Sequence, residues 1–149
     1  MRLSDNFTMA ELTKSQTAER MSIDNSPKSD DEIINLKSLC ENILEPVREE
    51  FGIPFSPSSG YRCMGLNRAI GSSDNSQHVK GEAVDFEIPG IPNFEVAQWI
   101  MDNLDYDQLI LEFYKEEEPN SGWIHCSYTE DGNRNVARRF DGRNWNDLS

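Results

Sequence analysis

The stretch that decides the fold is Glu82-Ala83-Val84-Asp85-Phe86-Glu87-Ile88. Its apolar and polar residues alternate, and successive side chains of a strand point to opposite faces, so the stretch predicts a half-buried β-strand. The apolar face of this strand would carry Val84, Phe86 and Ile88. The opposite face would carry Ala83, Asp85 and Glu87, which places one carboxylate at the centre of the polar face.

Two further segments, Asp107–Tyr114 and Trp123–Tyr128, show the same alternation and are also predicted to be strands. Their apolar faces would carry Leu109, Leu111, Phe113, Ile124, Cys126 and Tyr128. Their other faces would carry Ile110, Glu112, Tyr114, Trp123, His125 and Ser127. An antiparallel sheet with helices on its apolar face would therefore leave Asp85, Glu112 and His125 together on the other face.

Two amphipathic helices provide the apolar surface that such a sheet needs. Ser29-Asp30-Asp31-Glu32 is a capping box, and apolar residues recur behind it at helical spacing over about five turns: Ile33, Leu36, Leu39, Cys40, Ile43, Leu44 and Val47. Pro46 is expected to kink this helix or end it early, because proline lacks a backbone donor, and Gly52 is expected to stop it. Pro92–Leu104 has the spacing of a second helix.

Shorter elements complete the expected fold. Thr8-Met9-Ala10-Glu11 is a second capping box that opens a short helix, and Leu66–Ala69 forms another. Ile53–Ser59 is interpreted as a short edge strand with two prolines, and Val136–Phe140 as one more short strand. The sequence thus predicts an α+β fold in which helices pack on one face of a small antiparallel sheet.

The 149 residues fit a single domain with a core of its own. We expect the domain 1–149 to comprise an N-terminal leader segment at 1–28, packed on or near the domain, a core at 29–130 and a C-terminal tail at 131–149. The three cysteines, Cys40, Cys63 and Cys126, are odd in number and widely spaced. They argue against a disulfide framework and favour reduced thiols.

The formal net charge of −13 narrows the range of partners. An acidic protein repels phosphate backbones and anionic lipid, so we expect no nucleic acid partner and no adhesion to membranes. No apolar run approaches the roughly 20 residues that span a bilayer. The N-terminus, Met1–Asn6, lacks the apolar segment of a secretory signal, so the protein is expected to be cytoplasmic as synthesised.

Two histidines and one aspartate form a candidate metal site. His78 lies in the loop that precedes the first strand, and Asp85 and His125 share the polar face of the sheet. Together they would make a two-histidine, one-carboxylate set that leaves the fourth position of a tetrahedral zinc ion open for water, as in catalytic zinc sites. From spacing alone, the alternative is that these are hydrogen-bonded polar residues beside a turn.

A series of motifs appears in order from Ser59 to Tyr128: Ser59-Gly60-Tyr61-Arg62, Leu66-Asn67, Ile70-Gly71-Ser72, Ser76-Gln77-His78, Gly81-Glu82-Ala83-Val84-Asp85 and Trp123-Ile124-His125-Cys126-Ser127. This series closely resembles the zinc D-Ala-D-Ala carboxypeptidase family of peptidases, especially its short members encoded by phages and prophages. That family also includes L-Ala-D-Glu endolysins and D-Ala-D-Ala dipeptidases, and the hedgehog signalling domain shares its fold.

The resemblance implies roles for individual residues. It places the zinc ligands on His78, Asp85 and His125, and a substrate-binding arginine on Arg62, whose planar guanidinium suits a peptide carboxylate or carbonyl. It also matches Ser76, which would hydrogen-bond substrate or orient His78. Trp123 would line the cleft beside the ligands. The structural alternatives are a surface arginine, a serine that only caps a loop, and a tryptophan that only packs.

The general base is where the sequence departs from the family. Some members have a glutamate three residues before the second histidine ligand, where this chain has Gly122, and others have a third histidine, which this chain lacks. We expect Glu112 to be the base, because it lies on the polar face of a neighbouring strand. A buried structural carboxylate is the alternative for Glu112. Weaker candidates for the base are Asp107, Glu82 and the acidic run Glu116-Glu117-Glu118.

The resemblance implies a zinc-dependent peptidase that hydrolyses an amide bond in peptidoglycan stem peptides, as a D-Ala-D-Ala carboxypeptidase or an endolysin-type endopeptidase. Such a protein would act on the cell wall after release or export by other means, and we expect it to be a monomer. Two alternatives remain: a catalytically silent zinc-binding module, and an accessory structural or lysis protein of a phage with the same fold.

Overall fold

A five-stranded sheet covered by helices organises the chain. The computed structural model describes residues 1–148, and within them none of the helices is long and apolar enough to cross a membrane. The helices are α1 (Met9–Thr13), α2 (Gln16–Arg20), α3 (Asp30–Leu39), α4 (Glu45–Phe51), α5 (Met64–Ala69) and α6 (Asn93–Asn103). The strands are β1 (Ala83–Phe86), β2 (Gln108–Glu112), β3 (Trp123–Ser127), β4 (Val136–Phe140) and β5 (Trp145–Asp147).

The strand order is β1-β3-β2-β4-β5, and every pair is antiparallel except β2 and β4. The predicted α+β class, with a small and mostly antiparallel sheet, is confirmed. The parallel pair and strand β5 were not predicted. Strand β2 is antiparallel to β3 and parallel to β4, so β2 and β4 both run opposite to β3.

The long helical segment begins as predicted and continues past its proline. The Ser29 hydroxyl accepts a hydrogen bond from the Glu32 N–H, and the Glu32 carboxylate accepts one from the Ser29 N–H, which confirms the capping box. Instead of a break at Pro46, the segment Cys40–Leu44 widens into a π-helical turn before α4. A wider turn accommodates a residue that cannot donate a backbone hydrogen bond. Gly52 ends α4 at φ +66°, as predicted.

The hydrophobic core lies between the helices and the apolar face of the sheet. Strand residues in it include Val84, Phe86, Leu109, Leu111, Ile124 and Cys126, and helical residues include Leu36, Leu39, Ile43, Leu44, Val96 and Ile100. The N-terminal segment belongs to the same cluster through Leu3, Phe7 and Leu12. Each fully buried aliphatic side chain contributes roughly 1.5–3 kcal/mol to folding, so this face fixes the register of the strands. The three cysteines are free thiols.

The prediction of a strand at Ile53–Ser59 is wrong. Only Ser59 forms a β-bridge, which pairs it with Asp85. The Ser58 N–H donates to the Asp85 carbonyl at 2.9 Å, and the Asp85 N–H donates to the Ser59 carbonyl at 2.8 Å. Pro54 and Pro57 have no N–H to donate, so the segment cannot form a longer ladder. Asp85 is consequently flanked by Ser59 on one side and by β3 on the other.

The predicted faces of β2 hold as far as Glu112 and then reverse. Phe113 was assigned to the apolar face, but it adopts φ +57° and 41% of its surface is exposed. Tyr114 was assigned to the polar face, but it is partly buried against Phe94 of α6, with ring centroids 6.1 Å apart. A residue in the left-handed region interrupts the alternation of a strand, because it turns the backbone between two successive side chains.

Candidate metal centre

Three predicted ligands meet at one end of the open face of the sheet. His78 is buried in the 3₁₀ turn Gln77–Lys80, while Asp85 and His125 are paired directly opposite each other on β1 and β3. Each of the three offers one ligand atom, and these atoms all lie within 4.8 Å of one another. The sheet register and the turn that precedes β1 therefore bring together residues that are far apart in sequence.

The hydrogen bonds of His78 determine which ring nitrogen can bind a metal. Its Nδ1 is 2.7 Å from the Gly60 carbonyl oxygen, which can only accept, so Nδ1 carries the proton. Its Nε2, 3.4 Å from Oδ2 of Asp85, is left with the lone pair. A backbone carbonyl that orients an imidazole in this way is the usual partner of a histidine ligand, and it fixes both the tautomer and the ring position.

The Asp85 carboxylate is charged despite its burial. Burial opposes the charged form, but the two histidines beside it, His125 above all through its hydrogen bond, outweigh the effect of burial, and the pKa of Asp85 lies well below its ordinary value. Its Oδ1 lies 2.9 Å from Nδ1 of His125. A buried anion between two imidazoles is costly unless it is compensated, and a divalent cation would compensate it directly.

The donor set fits zinc. Two imidazole nitrogens and one carboxylate oxygen are ligands that Zn²⁺ accepts at about 2.0–2.2 Å, and three protein ligands are typical of catalytic rather than structural sites. The 3.4 Å between Nε2 of His78 and Oδ2 of Asp85 is a separation that two ligands of one ion can have. Cys126 follows His125 in sequence but is buried on the core side of β3, where burial raises the pKa of its thiol. It is therefore no competitor for the metal.

A cavity of about 360 Å³ opens above the three ligands. It brings together every residue that the sequence assigned to the site, together with two that it did not: Arg62, Ile70, Ser72, Ser76, His78, Asp85, Glu112, Trp123 and His125. The cavity is the place where a substrate could approach the metal donors. The roles of its lining residues stay predictions, and the position of each residue shows which of these roles its side chain could perform.

Glu112 is half-buried at the end of β2, opposite Trp123 in the strand register. Its pKa is raised, chiefly by burial and also by the negative charge of Asp85, while His125, Trp123 and Arg62 partly offset this. The Trp123 indole N–H favours the charged form of Glu112. It does not, however, form a hydrogen bond of ordinary geometry with any acceptor in residues 1–148. A carboxylate with a raised pKa beside a metal site suits a residue that takes up and returns a proton.

The other acids considered for the base lie elsewhere. Asp107 binds the Arg134 guanidinium through both carboxylate oxygens at 2.8 Å, and Glu82 lines the same separate cavity as Asp107. Glu116 forms an exposed ion pair with Arg139 at 3.0 Å. Apart from the ligand Asp85, Glu112 is the one carboxylate within residues 1–148 that lines the metal cavity.

Arg62 is the cation of the cavity, and the structure shows what holds it. Its Nε donates to Oδ1 of Asn67 at 3.1 Å, and its two terminal nitrogens lie 3.4 Å from the hydroxyls of Ser59 and Ser76. Asn67 is fully buried, as polar residues with a structural role often are. It belongs to the motif Leu66-Asn67, but no role was predicted for it from the sequence. Burial lowers the pKa of Arg62, and within residues 1–148 no carboxylate forms an ion pair with it.

Ser76 has the two contacts that the sequence left as alternatives. Its hydroxyl accepts from the His78 N–H at 3.3 Å, which caps the 3₁₀ turn that presents this ligand. The same hydroxyl lies within reach of Arg62. A single serine thus connects the turn that carries His78 with the guanidinium of Arg62.

A hydrogen-bonded network outside the cavity supports the same turn. The buried Asp107 carboxylate accepts from Arg134 and from the side chain of Gln77, the residue that precedes His78. The hydrogen bonds from Arg134 hold the pKa of Asp107 at about 2. Because this value lies below the unfolded one of about 3.9, the stabilisation is complete above about pH 5 and is lost as the pH falls towards 2.

Replacing Asp107 by Asn is therefore expected to lower the free energy of unfolding by about 1–2 kcal/mol at pH 7, and by progressively less between pH 5 and pH 2. Urea denaturation at several pH values measures this difference. Asp24→Asn, which removes an exposed ion pair with Lys28, is the control and should change little at any pH. A deficit of Asp107→Asn that stayed constant from pH 7 to pH 2 would contradict the assignment.

Comparison with known proteins agrees with the geometry. The profile of the family described as peptidase M15 matches residues 5–127, which is most of the chain. A search of curated proteins finds no relative. The matched region contains the three metal donors and every other predicted site residue, and the resemblance inferred from the motifs is confirmed. The chain therefore belongs to the peptidase M15 family, the zinc-dependent metallopeptidases that act on peptidoglycan peptides.

Proposed function

We propose that this chain hydrolyses an amide bond within the stem peptide of bacterial peptidoglycan, with His78, Asp85 and His125 as zinc ligands and Glu112 as general base. The observation that carries the proposal is the shared cavity, in which a zinc-type donor set, a carboxyl of raised pKa and a half-buried arginine lie together. A site built only to hold a metal would not need the last two groups.

Different side chains of the protein would carry out different steps of amide hydrolysis. When zinc is bound it supplies Lewis acidity, which lowers the pKa of water to about 7 and polarises a carbonyl. Glu112 takes the proton of the attacking water and later gives it to the leaving amine, and its raised pKa brings it closer to the working pH for both transfers. His78 is held in one tautomer by Gly60 throughout.

Arg62 is the group that orients substrate. Its guanidinium has hydroxyl and amide partners at 3.1–3.4 Å, so it can form shorter bonds to a carboxylate or to the oxyanion that develops on the carbonyl. Ser76 and Trp123 complete the substrate-binding wall of the cavity. Removing one such donor from an oxyanion typically costs about 3–4 kcal/mol of transition-state stabilisation.

The space beyond Arg62 favours an endopeptidase over a carboxypeptidase. A second cavity, of about 640 Å³, shares Arg62 and Ile70 with the metal cavity and is also lined by the N-terminal residues 14–17. A carboxypeptidase must close its pocket around a chain terminus, whereas here a peptide can continue past the arginine. We therefore propose endolysin-type cleavage of a bond inside the stem peptide, such as the L-Ala–D-Glu bond, in preference to the release of a terminal D-Ala.

Digestion of purified peptidoglycan, with products identified by mass spectrometry, tests the function and the bond. Cleavage should disappear in chelator and return with added zinc, and an internal cut should release peptide fragments rather than free D-Ala. If free D-Ala is the only product, the bond cleaved is the terminal D-Ala–D-Ala bond and the protein is a carboxypeptidase. Bound zinc without any cleavage would identify a catalytically silent binding module. Protein that binds no zinc although His78 and His125 are intact would favour an accessory structural role.

A further inference from the structure

Four aromatic rings form a continuous strip on the open face of the sheet, leading away from the metal cavity. Trp123 contacts Phe113 with ring centroids 5.2 Å apart, Phe113 contacts Phe140 at 5.9 Å, and Phe140 stacks on Trp145 at 4.4 Å. We call these four residues the aromatic strip. It starts at β3, crosses β2 and β4, and ends on the edge strand β5, so it extends over about 14 Å.

The strip lies on the same side of the sheet as the metal donors. Strand β4 pairs with β2 so that Phe140 is opposite Glu112, and β5 pairs with β4 so that Trp145 is opposite Phe140. Residues directly opposite each other in a sheet point to the same face. The helices cover the other face, so the strip lies on the uncovered side of the sheet, where Phe113 and Trp145 are exposed and Trp123 and Phe140 are half-buried.

The exposure of these rings is unusual for an acidic, polar chain. Trp145 leaves 51% of its surface in solvent and Phe113 leaves 41%. Phe113 reaches this position only through its left-handed backbone, at φ +57°, a conformation that costs a non-glycine residue about 1–2 kcal/mol. The alternation of β2 would otherwise have buried this ring in the core. The fold thus accepts a local cost and exposes an aromatic side chain beside the cavity.

Planar polar groups surround the outer end of the strip. A cavity of about 480 Å³ there is lined by Trp145, Arg138, Asn135 and Asn146, among others. The Arg138 guanidinium lies over the Trp145 ring at 5.9 Å. An aromatic surface edged by amide and guanidinium groups offers apolar contact and hydrogen bonds to one ligand. Sugar rings need this combination, because their C–H faces are apolar and their hydroxyl and acetamido edges are polar.

We propose that the aromatic strip binds the glycan strand of peptidoglycan, a polymer of N-acetylated hexosamines, while the attached stem peptide enters the metal cavity. The inference rests on the proposed function for the identity of the polymer. Its own support is the continuity of the strip with the cavity through Trp123, which lines both. The stem peptide is the charged part of the substrate and matches Arg62, whereas the glycan chain presents sugar faces and matches the rings.

Calorimetric titration with tetra-N-acetylchitotetraose, an oligosaccharide that contains no peptide, tests the site separately from hydrolysis. The wild-type protein should bind it, and Trp145→Ala should weaken binding about tenfold or more, the effect of losing an aromatic contact. Trp145→Tyr, which keeps a ring, should retain most of the affinity. Ile34→Ala is the matched control, because Ile34 is an apolar side chain with the same 51% exposure on α3, and it should bind like the wild type.

The outcomes separate this inference from the proposed function. Oligosaccharide binding without any cleavage of peptidoglycan would support the strip and remove the peptidase proposal. Cleavage without oligosaccharide binding, or equal binding by folded wild-type and Trp145→Ala proteins, would overturn the strip. Sedimentation velocity adds a further check. A dimer that Trp145→Ala converts to a monomer would show that the strip is covered by a second copy of this chain, and the glycan site would be abandoned.

Discussion

Replacing Glu112 by Gln is expected to lower kcat for peptidoglycan hydrolysis by about 10²–10⁴-fold, the usual contribution of a positioned general acid or base. The amide has the size and shape of the carboxyl but cannot take up the proton of the attacking water. Since Glu112 is not among the metal donors, zinc content should stay at that of the wild type. Initial rates of peptide release and the zinc content of the same samples measure both effects.

Two comparison variants make this result specific. His78→Ala removes a ligand, so it is expected to lose zinc and activity together. Glu95→Gln changes an exposed carboxylate on α6, on the other side of the sheet, and should leave both unchanged. If Glu112→Gln keeps full activity, the base has been assigned wrongly, although the peptidase proposal would still stand on the behaviour of His78→Ala.

Replacing Gly122 by Ala is expected to destabilise the fold by about 3 kcal/mol or more. A Cβ at this position would lie 1.9 Å from the backbone carbonyl oxygen of Glu112, and the residue adopts φ +68°. No rotamer relieves such a clash, because the neighbouring atom belongs to the backbone. The free energy of unfolding from urea denaturation measures the effect.

The matched control for this substitution is Gly52→Ala. Gly52 has nearly the same φ, +66°, but a Cβ there would meet nothing within 4 Å, so only the backbone strain of about 1 kcal/mol is expected. Gly122→Glu, which would place a glutamate three residues before His125, should be as damaging as Gly122→Ala and should not supply a base. Equal stability of Gly122→Ala and Gly52→Ala would show that the strand ends can move apart.

The parts of the fold that the sequence predicts are those with a local physical cause. Alternation in β1 and β3, helical spacing in α3 and α6, and the capping boxes at Thr8 and Ser29 all depend on neighbours a few residues away. The parallel pairing of β4 could not be predicted, because Val136–Phe140 carries no signal for the strand it joins. Strand β5 is exposed and has only three residues, Trp145–Asp147, so no alternating pattern reveals it.

The candidate site was predictable to the same extent and for the same reason. Asp85 and His125 are at matching positions on alternating strands, His78 was found from its place in the loop before the first strand, and the motifs supplied Arg62. What holds these residues could not be predicted. The Gly60 carbonyl that orients His78 and the buried Asn67 that holds Arg62 come from loops, whose paths depend on packing across the whole domain. The outward position of the Phe113 side chain was not predicted, because the alternation of apolar and polar residues does not reveal that one residue adopts a left-handed backbone conformation.

One peptide group links the first helix to the metal site. The N–H of Tyr61 donates to the Leu12 carbonyl at 2.7 Å, and the carbonyl of the same amide, that of Gly60, accepts from Nδ1 of His78 at 2.7 Å. Hydrogen bonds in series polarise one another, so the bond to the Leu12 carbonyl makes the Gly60 oxygen a stronger acceptor for the His78 ring. The N-terminal segment contributes none of the three metal donors, yet through these two hydrogen bonds it helps to hold the imidazole of His78 in place.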